Sequence, residues 1–287
     1  MRFSTPLRYP GGKGKLTDFL KVLINENDLV GCDYVEAYAG GAGIAMNLLA
    51  HGYCDKVHLN DLNPSVFAFW SSVVSQPEEL CRLISETPVT IDEWIKQKSI
   101  QKNQNKFTQL EVGFSTFFLN RTNRSGIIWA GVIGGKTQDG KWKIDARFNK
   151  LDLISRIERI AQFREKIKVY NLDGADFIGN IIPKLPKKSL VYLDPPYYVK
   201  GQGLYENHYD HDDHVTISKL VLQRLKRPWI VSYDYTPEIV DMYQSTPSIV
   251  YGLNYSAQQK YEGAEVMFFS EKLIIPEIEN PVKLKLA

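Results

Sequence analysis

The chain has 287 residues, 44% of them hydrophobic and 24% charged, with a formal net charge of +2. That balance excludes a disordered or fibrous protein and fits a globular chain with room for a full core and a second, smaller lobe. No apolar run approaches the roughly 20 residues of a membrane span, and the start Met1-Arg2-Phe3-Ser4-Thr5-Pro6 lacks a signal-peptide stretch, so a cytoplasmic place is expected. Cys32, Cys54 and Cys81 are far apart, odd in number and outside any Cys-x-x-Cys pair. They read as buried thiols, not as a disulfide framework or zinc ribbon. Residues 94–168 hold 16 Lys and Arg against 6 Asp and Glu, while the rest of the chain holds 19 against 27. One basic block in a near-neutral chain is the electrostatic footprint of a nucleic-acid contact. A solvated helical face is the plainer alternative.

In chain order, Leu7-Arg8-Tyr9-Pro10-Gly11-Gly12-Lys13-Gly14-Lys15 comes first, its glycines permitting close backbone approach to a ligand. It is no P-loop, because the spacing is wrong and no strand precedes it. A helix follows from about Leu16 to Asn25. The run Asp33-Tyr34-Val35-Glu36-Ala37-Tyr38-Ala39-Gly40-Gly41-Ala42-Gly43 reads as strand, glycine turn and helix. That helix, about Ala42 to Ala50, carries Ile44, Leu48 and Leu49 on one face and ends near Gly52. This is the first βα unit of a Rossmann-like sheet, without the spacing of a dinucleotide fingerprint. Lys56 to Asn60 is a second strand with Asp61 after it, where a carboxylate can accept ribose hydroxyls. Asn63 and Pro64 read as N-cap and first helical residue.

From about Ser65 to Lys150 the alternation of strand and helix stops. Helical stretches pass through Trp70, Leu80 and Trp94, and Phe117 to Gly131 follows with its Leu119-Asn120-Arg121-Thr122-Asn123-Arg124 core. Gly134 to Trp142 predicts a β-hairpin, with Asp139-Gly140 at its turn. The sheet resumes after a helix from Leu151 to Arg164. Ile167 to Leu172 is a strand, and Asp176-Phe177 opens the next helix.

Ser189-Leu190-Val191-Tyr192-Leu193 is then a buried strand, stopped by Pro195 and Pro196. Asp194 is presented at the strand's carboxyl end, where open α/β sheets bind ligands. The stiff turn leaves the Asp194 and Pro195 carbonyls as acceptors beside the ring of Tyr197. Acceptors beside a flat ring suit a planar group bearing an amine with two protons, and adenine is one. Asn207 to His214 holds three histidines at spacing three, which admits zinc but reads better as a substrate-facing loop running into a helix. Pro228 to Asp234 is a further strand. Ser248 to Tyr255 and Ala264 to Ser270 read as a terminal antiparallel pair.

Asp194-Pro195-Pro196-Tyr197 resembles the catalytic motif of amino-methyltransferases that use S-adenosylmethionine, in the Asp form typical of DNA adenine methylases. The order of glycine motif, basic insertion and Asp-Pro-Pro-Tyr resembles the Dam-type (alpha-group) DNA adenine-N6 methyltransferases over nearly the whole chain. The resemblance implies an α/β fold, a mixed Rossmann-like methyltransferase sheet with a C-terminal antiparallel hairpin. The catalytic domain would span 1–64 and 151–287, with a mainly helical DNA-recognition domain inserted at 65–150. It implies catalysis by Asp194, Pro195, Pro196 and Tyr197. It also implies S-adenosylmethionine held by Tyr9, Gly12, Lys13, Glu36, Tyr38, Ala39, Gly40, Gly41, Gly43, Asp61, Asp176, Phe177 and Asp194. Asp173 is the rival of Asp176 for the cofactor amine, and Asp176 fits the family pattern better.

Double-stranded DNA is the expected partner, contacted through Arg121, Asn123, Arg124, Lys136, Lys141 and Lys143, with no metal. A monomer associated with the nucleoid is expected, and a cognate restriction endonuclease remains open. The reacting base must be flipped from the duplex, with the loop holding His208, His211 and His214 closing over it. No Pro-Cys nucleophile is present, which argues against cytosine ring-carbon methylation. Methylation of a cytosine amine, of RNA or of a protein amide, and a non-catalytic DNA-binding role, stay as alternatives.

Overall fold

The computed structural model describes residues 5–9, 11–199, 209–254 and 262–286. In chain order the elements begin with α1 (Thr17–Glu26), β1 (Cys32–Glu36), α2 (Gly43–Ala50) and β2 (Cys54–Asn60). Five helices follow: α3 (Pro64–Ser75), α4 (Pro77–Glu86), α5 (Ile91–Lys102), α6 (Gln109–Thr122) and α7 (Lys150–Ala161). Next come β3 (Ile167–Tyr170), the one-turn helix α8 (Gly174–Asp176) and β4 (Ser189–Leu193). The last are α9 (His211–Lys219), β5 (Trp229–Asp234), α10 (Pro237–Met242), β6 (Ser248–Asn254) and β7 (Glu262–Phe269). The chain separates into two compact units, Met1–Gly12 with Asn63–Val169, and Lys13–Leu62 with Tyr170–Ala287.

The strands form one mixed sheet in the order β3-β2-β1-β4-β5-β7-β6. β1 pairs in parallel with β2 and β4, and β4 with β5, while β7 runs antiparallel to both β5 and β6. The carboxyl ends of β1, β2, β4 and β5 therefore point the same way. Strand order reverses between β1 and β4, the place where such sheets leave a crevice for ligands. The expected terminal pair is present, but β7 lies between β5 and β6; Tyr255 lies outside the described residues. The core is built as the periodicities require: Phe19, Leu20, Leu23 and Ile24 of α1 and Ile44, Leu48 and Leu49 of α2 are buried. β4 and β5 are buried along their whole length, which explains their near-continuous apolar runs.

The helical unit is larger than the expected 65–150 insertion, since α7 and the first residues of the chain group with it. Asn63 caps α3 by accepting the Ser65 amide, with Pro64 in the first turn, and a Thr108–Glu111 capping box starts α6. Phe69, Phe117, Phe118 and Phe148 form its aromatic centre, with ring centroids 5.4–6.1 Å apart. The hairpin expected over 134–142 is not formed: the segment is a series of turns and bends, and an isolated bridge between Asn123 and Val132 lies before it. Gln138 takes over the work of a ladder. Its amide donates to the Ile133 carbonyl at 2.8 Å, its oxygen accepts the Ile144 amide at 2.7 Å, and its carbonyl accepts the Lys143 ammonium. Such local side-chain bonds compete with strand pairing.

Candidate active site

Asp194 follows the last residue of β4, and its side chain is 21% exposed. The Ser232 hydroxyl, from the neighbouring β5, donates to Asp194 Oδ1 at 2.7 Å and stands 2.9 Å from the Tyr192 phenol. Burial pushes the Asp194 carboxyl up to about 6, against the pull of nearby Lys13 and the Ser232 bond. At neutral pH the carboxylate is therefore mostly ionised, an acceptor in poor solvent contact. A shifted acid at the carboxyl end of a sheet marks a functional site.

Lys13, expected among the cofactor-holding residues, is buried against the carboxylates of the site. Its ammonium is 2.7 Å from Glu265 Oε2, 3.0 Å from the Tyr197 phenol oxygen and 3.5 Å from Asp194 Oδ1. It also stands 5.0 Å from the centroid of the Tyr197 ring, a cation–π distance. Burial opposes the charge, but Asp194 and Glu265 outweigh it and raise the Lys13 pKa. Glu265 is fully buried and collects three donors, from Lys13, from Tyr197 at 2.5 Å and from Tyr251 at 2.8 Å. Glu265 and Tyr251 were not foreseen in the sequence. The available signal was an acid heading the apolar run Val266-Met267-Phe268-Phe269: a buried acid needs partners.

The glycine turn lies between β1 and α2. Gly40 and Ala42 both have φ of +46°, in the left-handed region, and for Ala42 that costs on the order of 1 kcal/mol. Strain held at a turn beside the point where the strand order reverses is what a ligand loop would need. The Gly40 amide donates to Asp61 Oδ2 at 2.8 Å, so the acid after β2 is joined to the turn. Glu36, at the end of β1, is buried; its Oε1 accepts the Ala45 amide at 3.0 Å, and burial raises its carboxyl to about 8. At neutral pH it is a neutral acid. The Tyr38 phenol meets the Tyr209 phenol at 3.2 Å. A Cβ at Gly174 would lie 2.4 Å from the Tyr38 hydroxyl, so a larger residue there would have to displace the tyrosine pair. Phe177 is buried against Tyr170, with ring centroids 5.1 Å apart. Asp173 caps α8 by accepting the Ala175 amide at 2.8 Å, whereas Asp176 is exposed.

In the helical unit two of the six expected nucleic-acid contacts are corrected. Arg121 is 7% exposed and its Nε donates to the Pro6 carbonyl at 2.6 Å; burial lowers its pKa to about 9. Asn123 is fully buried, accepting the Trp94 indole N–H at 2.7 Å and donating to the Ile127 and Ile128 carbonyls. Both are scaffold: the polar Asn-Arg-Thr-Asn run lies on the inner end of α6, where its side chains satisfy backbone groups of the following loop and of the N-terminal segment. Arg124, Lys136, Lys141 and Lys143 are exposed. Arg124 and Lys136 line a cleft of about 430 Å³ with Trp94, Val132 and the glycines 131, 134 and 135. Lys98, another residue not foreseen, lies over the rings of Trp94 and Trp129 at 5.4 and 5.2 Å. Tyr9 and Gly12 group with this unit, the Gly12 amide donating to the Tyr9 carbonyl at 3.1 Å.

His211 opens α9 and His214 is buried inside it; Asn207 and His208 lie outside the described residues. Among the described residues, no group of three His, Cys, Asp or Glu could hold a metal ion, and no helix is long and apolar enough to cross a membrane.

No curated protein matches the sequence significantly. Among solved structures the chain is similar to a candidate RNA methyltransferase from Pyrococcus horikoshii, at 10% identity and a TM-score of 0.43, covering 92% of this chain and 85% of that one. It is also similar to the rRNA methyltransferase AviRa from Streptomyces viridochromogenes, at 9% identity and a TM-score of 0.35, with 88% and 84% covered. The family model described as D12 class N6 adenine-specific DNA methyltransferase matches residues 9–258, which takes in the glycine turn, the helical insertion and the Asp194 motif. The chain belongs to the D12 class N6 adenine-specific DNA methyltransferase family.

Proposed function

We propose that the protein transfers a methyl group from S-adenosylmethionine to the exocyclic amine of adenine in DNA. The observation that carries this reading is the Asp194 carboxylate, ionised at neutral pH yet largely desolvated, on a proline-stiffened turn beside the Tyr197 ring. The adenine amine is conjugated and weakly nucleophilic, so positioning and electrostatics must supply most of the rate. Asp194 accepts one N–H of the amine and the Pro195 carbonyl the other, which turns the nitrogen lone pair toward the methyl donor. Tyr197 stacks on the base, an interaction worth ~1–3 kcal/mol. To admit the base, Lys13 withdraws from the face of Tyr197 while Glu265 keeps its charge paired.

The residues around the glycine turn fit the cofactor. A strained turn with Gly40 and Gly41 would offer backbone, Asp61 would accept ribose hydroxyls, and Phe177 would give an apolar wall. Neutral Glu36 adds no anion to a site that already holds Asp194 and Glu265. Bound S-adenosylmethionine supplies an electrophilic methyl on its sulfonium. Access to the amine requires the base to leave the stack, at a cost of a few kcal/mol. The helical unit, with its exposed Arg124, Lys136, Lys141 and Lys143, is the proposed holder of the duplex.

Labelled methyl transfer assayed in parallel on duplex DNA, RNA and protein tests the reading. Label on N6 of adenine in DNA is expected, and transfer to RNA or protein alone would overturn it. A salt series tests the DNA surface. Lys141→Ala and Arg124→Ala should each lower the slope of log affinity against log salt by about 0.9 if they touch phosphate. Arg121→Ala should leave that slope unchanged and lower the melting temperature instead. Unaltered slopes in both exposed variants would remove this face from the DNA contact.

A further inference from the structure

We propose that Asp234 and His214 are positioning residues of the methyl-transfer site, fixing Tyr198 and Val199 and through them the turn that carries Asp194 and Tyr197. The inference rests on the function proposed above and deepens it.

Pro195 and Pro196 have no amide N–H, so the chain leaving β4 cannot be tied to its neighbour by backbone donors at those positions. The tie is made just beyond. Tyr198 N–H donates to Asp234 Oδ1 at 2.9 Å and Val199 N–H to Asp234 Oδ2 at 3.1 Å, so both oxygens of one carboxylate hold two consecutive amides. Asp234 is 4% exposed and ends β5, and charge-assisted bonds of this kind are the strong ones. Its register partner on β7 is Glu265, which accepts the Tyr197 phenol. Successive residues of the turn are thus fastened to the two acids of one cross-strand pair. Two acids side by side repel; here each is given donors, Asp234 the loop amides and Glu265 the ammonium and phenols.

The Tyr198 side chain is gripped separately. Its phenol is 3.0 Å from His211 Nδ1, and its ring packs on His214 with centroids 5.2 Å apart. His211 and His214 are one turn apart on α9, hence on one face, and the Asp210–Asp213 capping box fixes the start of that helix. His214 is 1% exposed, with Nδ1 3.0 Å from the Tyr233 phenol and its ring against Tyr209 and Tyr233 at 5.5 Å. Its Nε2 has no hydrogen-bond partner among the described residues. An imidazolium there would bury an unpaired N–H, and burial lowers the His214 pKa despite nearby Asp234, Asp213 and Asp210. His214 therefore serves as a neutral ring, a wedge that sets the angle of Tyr198.

A reacting group displaced by about 1 Å can lose ~10²-fold in rate, so loosening either hold should be read in kcat. Asp234→Asn keeps one acceptor and turns an amino group toward a loop amide. Its kcat is expected to fall ~10–100-fold, while S-adenosylmethionine affinity by calorimetry stays within about twofold. Hydrogen exchange at the Tyr198 and Val199 amides, measured on the cofactor-free chain, should quicken tenfold or more, by roughly the 1.4 kcal/mol that a factor of ten represents. His214→Phe keeps the wedge and should restore most of the kcat lost in His214→Ala. Wild-type kcat or unchanged exchange in Asp234→Asn overturns the proposal. If that variant fails to fold, His214→Ala with wild-type kcat does so. A wild-type protein that methylates nothing sinks the proposed function, and the exchange rates still decide whether the hold exists.

Discussion

Asp194→Ala is expected to lower kcat for methyl transfer by ~10³-fold or more, while affinity for DNA stays within a few-fold. The lost carboxylate is the proposed acceptor for the reacting amine, whereas the proposed phosphate contacts lie on the helical unit. Asp194→Asn retains the shape but not the charge, and should recover little. Single-turnover kinetics separate the step from binding, and retention of more than a few per cent of turnover would count against the assignment. The pH profile gives an independent reading. Burial raises the Asp194 carboxyl to about 6, so wild-type kcat should fall as pH drops through 6 and the carboxylate gains a proton. Stability responds in the opposite sense. The folded state holds the proton more tightly than the unfolded chain, so this group's contribution is present at low pH and lost as pH rises from the ordinary carboxyl range through 6.

Glu265→Ala is expected to destabilise the protein by ~3–5 kcal/mol and to remove activity. Breaking a buried pair leaves its partner charged and unpaired. Lys13 would keep only the Tyr197 phenol oxygen and the more distant Asp194, at 3.5 Å, and two phenols would lose their acceptor. Glu265→Gln keeps an oxygen but places an amino group beside the ammonium, so its cost should be smaller, ~1–3 kcal/mol. The double variant Lys13→Met with Glu265→Leu should regain much of the stability, since an apolar pair often replaces a buried ion pair without loss, yet stay inactive. Urea unfolding of the cofactor-free chain measures all three. Wild-type stability in Glu265→Ala would show that the pair is not what holds this corner of the site.

Much of this arrangement was legible in the sequence because it is local. The strand–glycine turn–helix unit, the acid after β2, the Asn63–Pro64 helix start and the proline stop after Leu193 each depend on neighbours within a few residues, and each is found. What was missed is non-local. Glu265 and Asp234 matter because β7 sits beside β5, and no short-range pattern states that register. Arg121 and Asn123 misled for a related reason: polar residues in a basic block read as surface, but long-range bonds to Pro6 and Trp94 carry them inward. The hairpin over 134–142 was a strong turn signal without strands to join. Gln138 satisfied the backbone first.

The placement of β7 has a consequence for the life of the chain on the ribosome. Lys13 and Glu265 are 252 residues apart in sequence, so the start and the β7 end of the sheet unit complete one another only once β7 has been made. Contacts of such separation form late and slowly. Until β7 inserts beside β5, Lys13 and Tyr197 lack their shared anchor, Glu265. Completion of the Asp194 corner is thereby tied to the arrival of β7, with the β6–β7 hairpin acting as the closing stitch.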